Sequence, residues 1–153
     1  MHSANEQYLR SSVLTASPAR LRLMLLDRSV AVADRLLEVR QQATARLTDE
    51  WTLSLRDLLG ELLSGVSRNS GELAARVADL YVFLLQELTR AEQEPGTERI
   101  EAIGRILRIE QETWRQVCEN QLRQNAPAPA AAPALGLPAA AGMPAAGSLN
   151  LNA

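Results

Sequence analysis

Four stretches of this chain bring apolar residues back at intervals of three and four, with turn-forming residues between them. That period belongs to α-helices with one buried face. It argues against strands, whose side chains alternate. The first stretch opens at Ser17-Pro18. A serine there accepts from the unpaired amides of a first turn, and proline suits the first helical position because its missing N–H would have no partner. The spacing predicts a helix from Pro18 to about Arg40. Leu21, Leu25, Val32, Leu36 and Val39 form its stripe, widened by Met24, Ala31 and Ala33.

The polar run from Gln41 to Thr48 reads as a loop, with Thr48 or Asp49 capping a second helix that ends near Ser67. Its stripe is Leu55, Leu58, Leu59, Leu62, Leu63 and Val66. Gly60 inside it costs about 1 kcal/mol relative to alanine, and a close helix contact is one reason to keep it. Asn69-Ser70-Gly71 marks the next turn. A third helix follows from about Gly71 to Glu92, with Leu73, Val77, Leu80, Leu84, Leu88 and Ala91 as a bundle seam and Tyr81 and Leu85 beside it. Pro95-Gly96 breaks the chain again. Thr97 is placed to cap a fourth helix running to about Gln124, with Glu98 and Glu101 near its positive end. Ile100, Ile103, Leu107, Trp114 and Val117 share one face; Ile106 and Ile109 add a second.

From Ala126 on, the sequence is nearly all alanine, proline and glycine, without charge. Such a tail is expected to be disordered, because it offers neither helix continuity nor large apolar groups. The expectation is an all-α protein: an antiparallel up-down bundle of about four long helices. It divides into an N-terminal segment (1–17), a bundle (18–124) and a disordered Ala/Pro/Gly-rich tail (125–153).

The chain has 153 residues and a net charge of -2, so no broad basic surface is expected and nucleic acid is not a predicted partner. Every basic side chain is arginine, a bias read as compositional. The lone cysteine, Cys118, fits a reducing compartment and reads as a small, semi-buried hydrophobe. The polar start lacks a signal peptide's apolar core, and no apolar run approaches the length of about 20 residues needed to span a bilayer, so a cytoplasmic protein without membrane insertion is expected. His2 is the sole histidine, which rules out triads and paired Glu-x-x-His metal sites. No glycine-rich phosphate loop is present. Asp49-Glu50 and Glu110/Glu112 read as solvated helix faces. No enzymatic activity, metal or cofactor is expected; the chain is read as one that binds another protein.

Apolar surface exceeds what a minimal bundle needs. Leu80, Tyr81, Phe83, Leu84 and Leu85 run nearly all round the third helix, and Leu25-Leu26 and Ile106-Leu107 are paired side by side. Two readings stand: broad core packing, or a groove for an amphipathic client helix. Tyr8, Leu9, Val13 and Leu14 ahead of the first helix are either a staple against the bundle or a removable lid over such a groove.

These residues carry a resemblance. Tyr8, the run Val13-Leu14-Thr15-Ala16-Ser17-Pro18, then Leu21, Met24, Leu25 and Asp27 resemble the opening of the FliS family of flagellin-specific export chaperones. Gly71-Glu72-Leu73-Ala74, Leu80-Tyr81, Leu88 and Ala91 match in the third helix, and Trp114 in the fourth. The pattern covers about Tyr8 to Val117. The chain departs from it at Arg20, at Leu25-Leu26-Asp27-Arg28, at Glu92 after Ala91, and in its tail.

The resemblance implies a cytosolic chaperone that binds the C-terminal segment of flagellin. It would block premature polymerisation and keep the client competent for flagellar type III secretion, with export-gate components as further candidate partners. Within it, Tyr8, Val13 and Leu14 are the candidate lid, and Leu59, Leu63, Tyr81, Leu84, Leu88 and Ile106 the candidate client-binding residues. The alternative is a self-associating helical-bundle adaptor of another secretion or assembly system.

Overall fold

The computed structural model describes residues 4–7, 17–42, 45–68 and 71–126. Residues 4–7 are helical, and four long helices follow: α1 (Pro18–Gln41), α2 (Ala45–Ser67), α3 (Glu72–Gln93) and α4 (Glu98–Asn125). No strand occurs among the described residues. The expected tail lies outside them from residue 127 on.

Local chemistry marks the starts of α1, α3 and α4. The Ser17 hydroxyl accepts from the Arg20 amide at 3.2 Å, with Pro18 at the first helical position. Gly71 stands ahead of α3 with φ +123°, and Gly96 two residues ahead of α4 with φ +130°, a region that side chains disfavour. Thr97 does not cap α4 through its side chain. Its hydroxyl donates to the Glu101 carboxylate at 2.9 Å instead.

The polar run after α1 is shorter as a loop than its composition suggests. α2 begins at Ala45, so Thr48 and Thr52 lie within the helix with buried side chains. The Thr52 hydroxyl donates to the Thr48 carbonyl at 2.8 Å, which satisfies a polar group without leaving the helix.

Cross-helix contacts fix an antiparallel ring. Arg108 and Gln111 of α4 bond to Asp34 and Asp27 of α1, in reverse chain order. Arg56 midway along α2 meets Glu92 at the end of α3 at 2.6 Å, and Arg99 at the start of α4 meets Glu87 late in α3 at 2.6 Å. α1 packs on α2 and α4, and α3 closes the ring between them. The α3–α4 contact is the least extensive of the four.

The core is sealed by Leu26, Val32, Leu36, Leu55, Leu59, Leu62, Tyr81, Leu84, Leu88, Ile100, Ile103 and Leu107, all 2% exposed or less. Each large side chain buried this way contributes about 1.5–3 kcal/mol. A satellite cluster of Ala19, Leu23 and Cys118 joins α1 to the far end of α4.

The stripe of α1 holds at Val32, Ala33, Leu36 and Val39, all buried, but differs from the expected one in the first turns. Leu23 and Leu26 are buried, Leu21 and Leu25 are half-buried, and Ala31 is exposed. Ser29 lies on the buried face because its hydroxyl bonds back to the Leu25 carbonyl at 2.7 Å. Leu73, expected in the α3 seam, is 76% exposed. A Cβ at Gly60 would meet nothing within 4 Å, so no close helix contact explains that glycine.

Candidate functional site

A groove of about 490 Å³ opens where α1 begins and α2 ends. Pro18, Ala19, Leu21, Arg22 and Leu25 form its α1 wall. Glu61, Leu62, Ser64, Gly65 and Arg68 form its α2 wall, and Trp114 of α4 closes the base. The face buried by the first turns of α1 creates this arrangement. With Leu23 and Leu26 turned inward, the pair Leu21 and Leu25, one helical turn apart, is left on the rim.

Gly65 keeps the opposite wall low. A Cβ there would sit 3.5 Å from the Arg22 guanidinium, which in turn lies 4.6 Å from the centre of the Trp114 ring. The stack holds the arginine by cation–π attraction, worth about 0.5–1 kcal/mol in a partly wet site. Neither Arg22 nor Arg68 forms an ion pair among the described residues.

The opposite end of the bundle is closed by polar contacts. Arg40 at the end of α1 donates to the Ala91 carbonyl at 2.8 Å and also to the Glu94 carbonyl. Arg99 makes two bonds to the Glu94 carboxylate, at 2.6 and 2.9 Å, and one to Glu87 at 2.6 Å. Arg90 reaches the other oxygen of Glu87 at 2.6 Å. The Arg99 bond, seconded by Arg90 and opposed by burial, holds the Glu87 carboxyl below its usual range. Arg99 likewise lowers Glu94, and the two carboxylates raise the guanidinium.

Between the two ends, the Tyr81 hydroxyl donates to Glu110 at 3.1 Å. Burial first, and then the Glu110 charge, push the phenol well above its usual range. Glu110 therefore departs from the expected solvated face, whereas Glu112 keeps to it beside Arg115 and Gln116.

The expected client-binding residues fall into three places. Leu59, Tyr81, Leu84 and Leu88 are interior core, between 0% and 1% exposed. Leu63 and Ile106 are half-buried and pack against that core from its edge. Tyr8, Val13 and Leu14 lie outside the described residues. The groove is lined instead by Leu21, Leu25 and Trp114, which the periodicity assigned to core stripes. The available signal was the run Leu23 to Leu26, apolar on more than one face of α1. Further apolar surface lies on α3 and α4, where Val82, Phe83 and Ile109 are 40%, 44% and 66% exposed.

No cluster of metal-ligating side chains occurs among the described residues, and no helix there is long and apolar enough to cross a membrane. Fold and groove together define a helical-bundle protein with a groove between the start of α1 and the end of α2. The family model described as flagellar protein FliS matches residues 1–121. The chain belongs to the FliS family, a family of flagellar export chaperones. No curated protein matches it at a significant level.

Proposed function

We propose that this chain binds the C-terminal segment of flagellin, prevents its premature polymerisation and keeps it competent for flagellar type III secretion. The observation that carries this reading is the apolar groove between α1 and α2, bordered by Leu21, Leu25 and Trp114 and left unfilled by the chain's own described residues. Family membership supplies the flagellar setting. A segment that polymerises through an apolar face is kept monomeric when that face is covered, because covering it removes the driving force.

Leu63 and Ile106, half-buried at the core's edge, extend the contact beyond the groove. Leu59, Tyr81, Leu84 and Leu88 support its walls from within and reach a client only when the helices part. Tyr8, Val13 and Leu14 serve as the cover of the groove in the client-free protein. Leu14 stands four residues before Pro18 in the chain, within reach at about 3.3–3.6 Å per residue. Export-gate components are the next partners in line.

The test is co-purification of the tagged chain with flagellin from the same cell. Full-length flagellin is expected to co-elute and to polymerise more slowly in the presence of the chain, whereas flagellin lacking its C-terminal segment does neither. Retention of the truncated flagellin at full strength would sink the proposal.

A further inference from the structure

Charge is distributed unevenly over the arginines of this protein. Arg35, Arg56, Arg90, Arg99 and Arg108 each reach a carboxylate, and Arg40 reaches two carbonyls. Arg22 reaches neither, although it is half-buried inside an apolar groove. Among the described residues its specific partner is the Trp114 ring, whose centre lies 4.6 Å from the guanidinium carbon. The anions nearby are committed elsewhere or turned outward. Glu110 accepts from Tyr81, and Glu61 on the α2 wall is exposed and does not pair with Arg22.

A guanidinium held in place, partly stripped of water and lacking a counter-ion is a prepared carboxylate site. Its planar fork suits two oxygens, and the stack has already removed much of its rotamer freedom. Gly65 leaves room for an incoming group directly beside the guanidinium, since even a Cβ would come to 3.5 Å. Arg68 on the same wall, also without an ion pair, adds to the positive field over the groove.

We propose that the groove selects an amphipathic helix whose apolar ridge carries an aspartate or glutamate side chain, and that Arg22 is the residue that reads this carboxylate. Leu21 and Leu25 hold the ridge; Arg22 sets the register in which it lies. The inference rests on the client-binding reading of the groove and goes beyond it by stating the chemistry that the groove demands.

The probe is a synthetic peptide of the flagellin C-terminal segment with an amidated end, so that every carboxylate on it belongs to a side chain. Arg22→Met is expected to weaken binding about tenfold, as loss of a charge-assisted bond does. Replacing the aspartates and glutamates of the peptide one at a time should find one position whose neutralisation costs wild type about tenfold and costs Arg22→Met nothing further. If every neutralised peptide binds wild type within about twofold of the parent, the inference is overturned, whatever the variant does. Restoration of tight binding only by a free C-terminal carboxylate would overturn it too, because the group read would then be the chain end.

Leu21→Asp separates this failure from failure of the underlying reading. It places a like charge beside an incoming carboxylate and a polar group on the apolar wall, and circular dichroism checks that the helices persist. If Leu21→Asp abolishes binding while neutral peptides still bind, the groove takes its client through apolar contact alone and only the Arg22 assignment falls. If Leu21→Asp binds like wild type, the client does not use this groove and both fall.

Discussion

At the end where α1 and α3 finish, Arg40 spans to the carbonyls of Ala91 and Glu94, and Arg99 ties Glu87 to Glu94. At the end where α1 begins, Arg22 and Arg68 face a groove and form no ion pair among the described residues. The two ends use one residue type for opposite purposes. In the first, guanidinium groups satisfy helix-terminal carbonyls that would otherwise lack partners, and bridge α3 to α4, the least extensive contact in the ring. In the second, they leave binding capacity unspent. The difference teaches how a small bundle holds together while keeping apolar surface open: the polar cross-links between helix ends concentrate away from the groove.

The sharpest way to break this comparison is to truncate one leucine at each end. Leu88 is 1% exposed in α3, one residue beyond Glu87. Leu88→Ala should cost about 3 kcal/mol, the sum of lost burial and the cavity left behind. Leu21 is half-buried on the groove rim, and Leu21→Ala should cost less than about 1 kcal/mol of stability while weakening client binding. Urea unfolding measures both. Equal costs would mean that the groove wall bears on the core as fully as the closed end does.

The next effect is electrostatic. Glu87→Gln keeps the shape but removes the charge that receives Arg99 and Arg90, and should cost about 2 kcal/mol at neutral pH. The sign with pH follows from the lowered folded pKa. Glu87 contributes fully above the ordinary carboxylate range, and its contribution drains as pH falls through the lowered value. Wild type should therefore lose stability as the pH falls below the ordinary carboxylate range and through the lowered Glu87 value, and the variant should lose less. Parallel pH profiles would show that the ion pairs at this end contribute nothing beyond packing.

Much of this architecture is legible in the sequence because it depends on local signals. Ser17-Pro18, Gly71 and Pro95-Gly96 mark helix boundaries through backbone chemistry that needs no tertiary partner. The face that the first turns of α1 bury is not legible. Leu21, Leu23, Met24, Leu25 and Leu26 are all apolar, so more than one buried face satisfies the period, and packing against Cys118 and Trp114 of α4, about ninety residues away, selects among them. The same ambiguity hides the groove. Leu59, Tyr81, Leu84 and Leu88 look like client contacts as readily as core, because both roles demand a large apolar side chain at helical spacing. The closed end is invisible for another reason: Arg40 meets Ala91 across 51 residues, and nothing local distinguishes Arg40 from Arg22.

The smallest effects come from two glycines on one helix. Both Gly60 and Gly65 lie inside α2, where alanine is favoured over glycine by about 1 kcal/mol. A Cβ at Gly60 meets nothing within 4 Å, and one at Gly65 reaches the Arg22 guanidinium at 3.5 Å, an ordinary contact. Each substitution should therefore raise stability by about 1 kcal/mol in urea unfolding. Client binding should part them. Gly60→Ala should leave affinity unchanged, because no groove residue feels it. Gly65→Ala puts a methyl group into the space beside Arg22 and should weaken binding about threefold, a loss of roughly 0.7 kcal/mol. Equal affinities would show that the client does not approach the α2 wall, and would confine its contact to α1 and Trp114. A gain in stability at Gly60 alone would show instead that the methyl group at position 65 disturbs the Arg22 stack on Trp114, making that stack a structural strut as well as part of the binding surface.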